Sequence, residues 1–227
     1  MNGSDGKSTE EKIKIKDRAT EVTRKRYDQR APFYDLMEGF AERPGLGKWR
    51  KTLWSKVSGA NILEVGVGTG KNFSYYPQNS SITAIDFSEK MLSRAHDKAR
   101  KQGLKVQLLP MDVQQLDFAD NTFDTVVATF VFCSVPDPLK GLAEVKRVCK
   151  PGGKVILLEH VLSANRLLAH LMNLANPVVV RLMGANINRR TVENVAASGL
   201  AVEQVADLGA GILKLIEARK VNAHLSG

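Results

Sequence analysis

Three glycines, three acids and one histidine carry the chemistry that this sequence can do. Gly66, Gly68 and Gly70 stand in Ile62-Leu-Glu-Val-Gly-Val-Gly-Thr-Gly70, an apolar run that enters a glycine turn. Such a turn lets backbone approach a ligand with no Cβ in the way. The dinucleotide pattern GxGxxG fails, because its last small residue falls on Lys71. The phosphate loop GxxxxGK, followed by Ser or Thr, fails as well. Val65 stands where its first glycine belongs, and Asn72 follows Lys71. NAD and ATP are therefore disfavoured. Asp86, 22 residues beyond Glu64, suits a carboxylate accepting from both hydroxyls of a ribose. Its competing role, capping the next helix, falls more naturally to Ser88. Asp112 and Val113 follow the third apolar run, where a carboxylate can reach an exocyclic adenine amine. Phe87 and Met91 offer apolar surface to the adenine face. Singly, each of these residues reads as a surface acid or a core side chain. At the ends of successive strands they describe an adenosine pocket without a pyrophosphate cradle.

These residues need a scaffold, and the apolar pattern supplies one. Strands are expected at 62–65, 82–85, 105–109, 123–129 and 153–159, with helices at 70–76, 88–102 and 138–149 between them. Residues 110–122 are a gap without a helix. The tail adds a helix near 189–198 and strands at 201–206 and 212–218. Alternation of this kind implies a parallel α/β sheet with helices on both faces. Upstream, charged and amphipathic helices are expected over 12–30, 33–40 and 45–57. The expected division is an N-terminal helical cover, 1–57, and a sheet domain, 58–227.

The 227 residues are 43% apolar and 25% charged, which excludes a disordered chain or a collagen. Two cysteines cannot form a disulfide framework, and the four histidines show no metal-ligand spacing. No metal is expected. The polar N-terminus does not read as a secretory signal, and a cytoplasmic location is the expectation. The net charge of +9 is uneven: residues 140–190 hold nine Lys/Arg against Glu144 and Glu159. A solvated basic face, a nucleic-acid contact and an anionic lipid surface each account for that surplus.

Five motifs in order resemble the class I S-adenosylmethionine-dependent methyltransferases. Glu64-Val-Gly-Val-Gly-Thr-Gly70 is similar to that family's first motif, Asp86 to its ribose acid and Asp112-Val113 to its adenine contact. Phe123-Asp-Thr-Val-Val-Ala-Thr129 resembles the fourth strand, which lines the donor, and Lys150-Pro-Gly-Gly153 the turn before the fifth. The resemblance implies a Rossmann-like doubly wound sheet of seven strands with an antiparallel last strand, and S-adenosylmethionine as cofactor. Arg26-Tyr-Asp-Gln-Arg-Ala-Pro-Phe-Tyr-Asp35 is similar to the N-terminal lid of quinone C-methyltransferases and bacterial phospholipid N-methyltransferases. Tyr27 and Tyr34 are the aromatics such a lid could fold over the cofactor; helix packing is their alternative role.

The acceptor should lie beyond the strand ends, between that lid and the segment after the fifth strand. His160 stands there and could remove a proton from an amine, thiol or phenol; a structural histidine is the alternative. Arg189 and Arg190 are the candidate acceptor-binding cations. Cys133 lacks the Pro-Cys context of covalent cytosine methylation, no Asn/Asp-Pro-Pro-aromatic sequence follows Thr129, and no nucleic-acid module is present. Twelve of the seventeen residues from Leu167 to Met183 are Leu, Met, Val or Ala, which suits either a buried helix or an interfacial one. The expectation is methyl transfer to a small or lipid-like acceptor, foremost a phospholipid amine, with peripheral contact to an anionic membrane and no partner protein. Quinone carbon, a thiol, and a non-catalytic binding protein that kept the cofactor fold are the alternatives.

Overall fold

The computed structural model describes residues 20–29, 46–209 and 211–221. The expected helix over 33–40, most of that over 12–30, and Tyr34 lie outside them. A helix over 20–29 (α1) and α2 (Leu46–Trp54) precede the sheet. Strands β1 (Asn61–Val65), β2 (Ser81–Asp86), β3 (Gln107–Pro110), β4 (Phe123–Thr129) and β5 (Cys149–His160) are mutually parallel. Strand β7 (Leu213–Arg219) pairs antiparallel with both β5 and β6 (Ala201–Gly209). The order is β3-β2-β1-β4-β5-β7-β6, so the chain reverses its direction of winding between β1 and β4. In such sheets the ligand crevice opens at that reversal.

Strand side chains alternate between two cores, as the two-residue period requires. Leu63, Val65, Val126, Val155 and Leu157 face α4 (Pro138–Val148) and α6 (Thr191–Ala197), packing with Leu142, Val145 and Val195. Ile62, Val127, Ile156 and Leu158 face the other way, onto Leu53 and Trp54 of α2 and Leu92 and Ala95 of α3 (Glu89–Gln102). Ser88 caps α3 by accepting the Met91 amide at 3.2 Å, and Asp137 caps α4 by accepting that of Lys140 at 3.1 Å.

Two expected elements differ. Residues 70–76 form no α-helix but a single 3-10 turn, Phe73–Tyr75. Gly70 is left-handed there (φ 80°), Pro77 follows, and Asn72 and Tyr76 are drawn inward to Glu64. Strand β5 begins at Cys149 rather than 153, because its register against β4 jumps between Phe123 and Thr125 and absorbs Lys150-Pro-Gly-Gly153.

The apolar 167–183 segment is helix α5 (Arg166–Met183), capped by Asn165, whose side chain accepts the Leu167 and Leu168 amides. A buried packing helix is not what forms. Met172 is buried, but Leu167, Leu171, Leu174, Val178 and Leu182 are each more than half exposed. Among the described residues no helix is long and apolar enough to cross a membrane.

Candidate active site

A cleft of about 690 Å³ opens over the β1/β4 reversal. Its floor is the end of β1, with Val65, Gly66 and Gly68, and the end of β2, with Ile85 and Asp86. Asp86 is 7% exposed and takes two backbone amides, Ser88 on Oδ1 at 2.9 Å and Gly68 on Oδ2 at 2.8 Å. Burial, with a lesser push from Asp28, raises its carboxyl to about 6. Each oxygen keeps a lone pair for a further donor. The carboxylate of Asp112 is held by Gln114, whose backbone amide and Nε2 both donate to it. Phe87, Met91, Met111 and Val113 supply apolar wall, and Thr129, Phe130 and Val131 form the opposite side.

The glycines do different work. A Cβ on Gly66 would meet Val131 at 2.4 Å, whereas one on Gly68 would project into open space. Gly68 also has φ 55°, a left-handed conformation that costs an ordinary L-residue roughly 1–2 kcal/mol. It is the position where backbone can face a ligand directly.

Glu64 and Gly70 do not line the cleft. Glu64 is 1% exposed beneath the loop and accepts from Asn72 Nδ2 at 2.6 Å and from the Tyr76 hydroxyl. Burial raises its carboxyl, and the Arg50 guanidinium reaches the same network through Asn72 Oδ1 at 2.9 Å. Gly70 sits against the Phe73 ring.

Helix α1 straps the mouth. Thr20 accepts from Gln114 Nε2 at 3.0 Å, Tyr27 shares a 2.6 Å hydroxyl contact with Ser134, and Ser88 donates to Asp28 at 2.6 Å. Tyr27 also sets its ring edge-to-face with Phe87 at 5.6 Å. Three of the loops that surround the cleft are thus tied to one helix.

The loop after β4 contributes residues that sequence reasoning missed: Phe130, Val131, Ser134, Val135 and Pro136. Phe130 holds φ 58°, unusual for an aromatic residue, with its amide on the Leu158 carbonyl at 2.8 Å. Glu159, fully buried, accepts the Val131 and Phe132 amides and fixes this turn. Desolvation pushes its carboxyl up to about 7. Its Oε2 has no hydrogen-bond partner among the described residues. The identity of Glu159 was visible in sequence; its hold on a loop 28 residues upstream was not.

The remaining candidates stand back from the cleft. His160 stacks on Phe130, with centroids 4.9 Å apart, and is one residue removed from the lining. Desolvation lowers its imidazole below the ordinary histidine range. Arg189 donates to the Val135 carbonyl at 2.9 Å and braces the loop from behind; Arg190 is exposed and precedes α6. Cys133 is buried with its thiol pushed up to about 12, so it packs and does not react as a nucleophile. Among the described residues no cluster could hold a metal ion.

The cleft suits an adenosine bearing no pyrophosphate. Two carboxylates stand at successive strand ends, apolar walls lie between them, and open space faces Gly68. Fold and site together resemble those of the class I S-adenosylmethionine-dependent methyltransferases. Residues 63–157 match the family model described as a methyltransferase domain. Over 104 residues the chain is 46% identical to a phosphatidylethanolamine N-methyltransferase of Cereibacter sphaeroides, covering 45% of this chain and 51% of that protein. It is 36% identical over 146 residues to a ubiquinone/menaquinone biosynthesis C-methyltransferase of Bdellovibrio bacteriovorus, covering 61% and 62%. It is 39% identical over 103 residues to a thiol S-methyltransferase of Mus musculus, covering 44% and 42%. The chain therefore spans 42–62% of the length of these relatives. Solved structures share the fold. One is the cyclase SpnF, with TM-score 0.69 and 19% identity over 88% of this chain and 96% of that one. Another is an S-adenosylmethionine-dependent methyltransferase of Methanosarcina mazei, with TM-score 0.62 and 24% identity over 75% and 97%.

Proposed function

We propose that the protein methylates the amine of a phosphatidylethanolamine-type phospholipid. The 46% identity to a phosphatidylethanolamine N-methyltransferase carries the acceptor class. The cleft supports the donor. Bound there, S-adenosylmethionine supplies an electrophilic methyl group. Asp86 would accept from its ribose hydroxyls and Asp112 from its adenine amine. Phe87, Met91 and Val113 would sandwich the base, and Gly66 and Gly68 would leave room for the amino-acid portion. Thr129 stands at the strand end facing the loop of Phe130 and Val131.

An amine attacks only as its free base, so a proton must leave. His160 is the candidate acceptor of that proton. Its lowered pKa favours the neutral imidazole, and because the Phe130 ring stands between it and the cleft, the proton would reach it through a bridging water. Tyr27, across the mouth, would shield the reacting groups from water.

The quinone reading has one observation in its favour, the longer match to the C-methyltransferase. Incubation with labelled donor and a panel of phosphatidylethanolamine, a demethylated quinone and an aliphatic thiol decides. Label in the lipid amine is the expected result. Label in the quinone ring alone would replace this reading, and donor binding without transfer to any acceptor would reduce the protein to a binding module.

A further inference from the structure

Helix α5 is apolar on two faces, and the fold uses only one of them. Met172 is buried against the domain, with Leu168, Asn176 and Val179 half-buried beside it. Leu167, Leu171, Leu174, Val178 and Leu182 are 53–72% exposed. At 3.6 residues per turn these five fall within an arc of about 80°, roughly a third of a turn away from the packed face. Arg166, His170 and Arg181, all exposed, run along one border of that stripe. From 160 to 192 the sequence holds four arginines and no acidic residue.

We infer that α5 is the docking surface for an anionic lipid layer, its leucine stripe in the acyl boundary and its arginines among the phosphates. This deepens the phospholipid reading and rests on it for its meaning. Charge favours this occupant over a second copy of the chain. A twofold pairing of the stripe would bring arginine borders together with no acid on either helix to offset them. A lipid phosphate layer offsets them directly. The surface also adjoins the cleft, since Arg26 of the α1 strap donates to the Val180 carbonyl of α5 at 3.4 Å. An acceptor drawn from the lipid layer would thus arrive beside the strap.

The test is co-sedimentation of the full chain with vesicles of phosphatidylcholine alone, or of phosphatidylcholine with phosphatidylglycerol. Binding to the anionic vesicles, weak binding to the neutral ones, and release by high salt are expected. Leu171→Ser/Leu174→Ser should weaken partitioning about tenfold or more, and Arg166→Gln/Arg181→Gln about fivefold or more at low salt. Unchanged donor affinity certifies that both variants are folded. Leu174→Trp, which keeps the stripe apolar, should be quenched by brominated acyl chains whether or not the serine variant folds. Wild type left in the supernatant with both vesicle types, or an unquenched Trp, overturns the proposal. So does a wild-type dimer that the leucine variant dissociates, which would assign the stripe to a second copy. Binding is read without turnover, so it separates from the reaction. Methylation of a water-soluble short-chain phosphatidylethanolamine by a chain that ignores vesicles sinks the docking surface alone. Vesicle binding without methylation of any lipid amine sinks the phospholipid reading alone.

Discussion

Asp86 receives the backbone amide of Gly68 on Oδ2 at 2.8 Å. The acid at the end of β2 and the glycine turn after β1 are therefore one unit. A side chain that reads as a ligand contact also sets the shape of the loop beside it. Removing the carboxylate takes away both functions at once.

Asp86→Ala should weaken S-adenosylmethionine binding by roughly 1.5–3 kcal/mol, the scale of hydrogen bonds to a charged group. Titration calorimetry measures it, and wild-type affinity would remove Asp86 from the site. The carboxyl titrates near 6, raised by burial. The ionised form is the better acceptor, so wild-type affinity should fall as pH drops through about 6, with Asp86→Asn showing a flatter profile.

Gly66→Ala and Gly68→Ala should part company. The first drives a Cβ into Val131 and should lower thermal stability by about 1–3 kcal/mol. The second meets open space and carries only the left-handed strain, so the fold should lose about 1–2 kcal/mol. Its larger effect should be on the donor, whose approach the new methyl obstructs. Normal donor binding by Gly68→Ala and Gly68→Val would refute a close backbone approach there.

Tyr27→Phe keeps the ring against Phe87 and removes the hydroxyl contact with Ser134. Donor affinity should fall by about 0.5–1.5 kcal/mol, mostly through faster dissociation. Stopped-flow release measures this. A variant that releases donor at the wild-type rate would show that the strap does not retain it.

As a base, His160 should contribute about 10²–10⁴-fold to turnover with little effect on donor affinity. His160→Ala therefore tests it at saturating acceptor, with chemistry rate-limiting. A loss under about tenfold would leave the ring as packing for Phe130, whose left-handed turn would then be its purpose.

Glu159 should make the apoprotein less stable as pH rises. Its folded pKa is about 7 against an ordinary 4.5, so the folded state holds a proton that the unfolded chain releases. The stability this group contributes is complete below the lower value and fades as pH climbs through the upper one. The full difference is at most about 3 kcal/mol. Thermal melts of wild type and Glu159→Gln between about pH 5 and pH 8 should converge at acid pH and diverge at alkaline pH. Parallel curves would mean the carboxyl is not displaced.

Sequence carried the sheet well, because its buried strands are short apolar runs. Asp86, Asp112, Gly66 and Gly68 were legible for the same reason: they occupy strand ends, which the pattern locates. Residues whose role depends on distant partners were not. Val135 and Pro136 line the cleft only because Glu159 and Arg189 hold their loop, and no local spacing encodes that hold. Residues 70–76 depart from the expected helix because Asn72 and Tyr76 turn in to Glu64, a pull that local pattern does not encode. Exposure of the α5 stripe was likewise invisible, since periodicity counts apolar faces without saying which one finds a neighbour.

The strap has a consequence for enzymes that cut proteins. Arg24, Lys25 and Arg26 sit in the middle of α1, and a trypsin-like protease needs its target extended, not helical. Scission there requires α1 to unwind and give up the Gln114, Ser134 and Ser88 contacts together. When reclosing is fast, the cleavage rate follows the small population of open molecules. A gel lane taken over time would then count how often the cleft stands uncovered, with no label and no substrate, and a bound ligand would slow the loss of the uncut band.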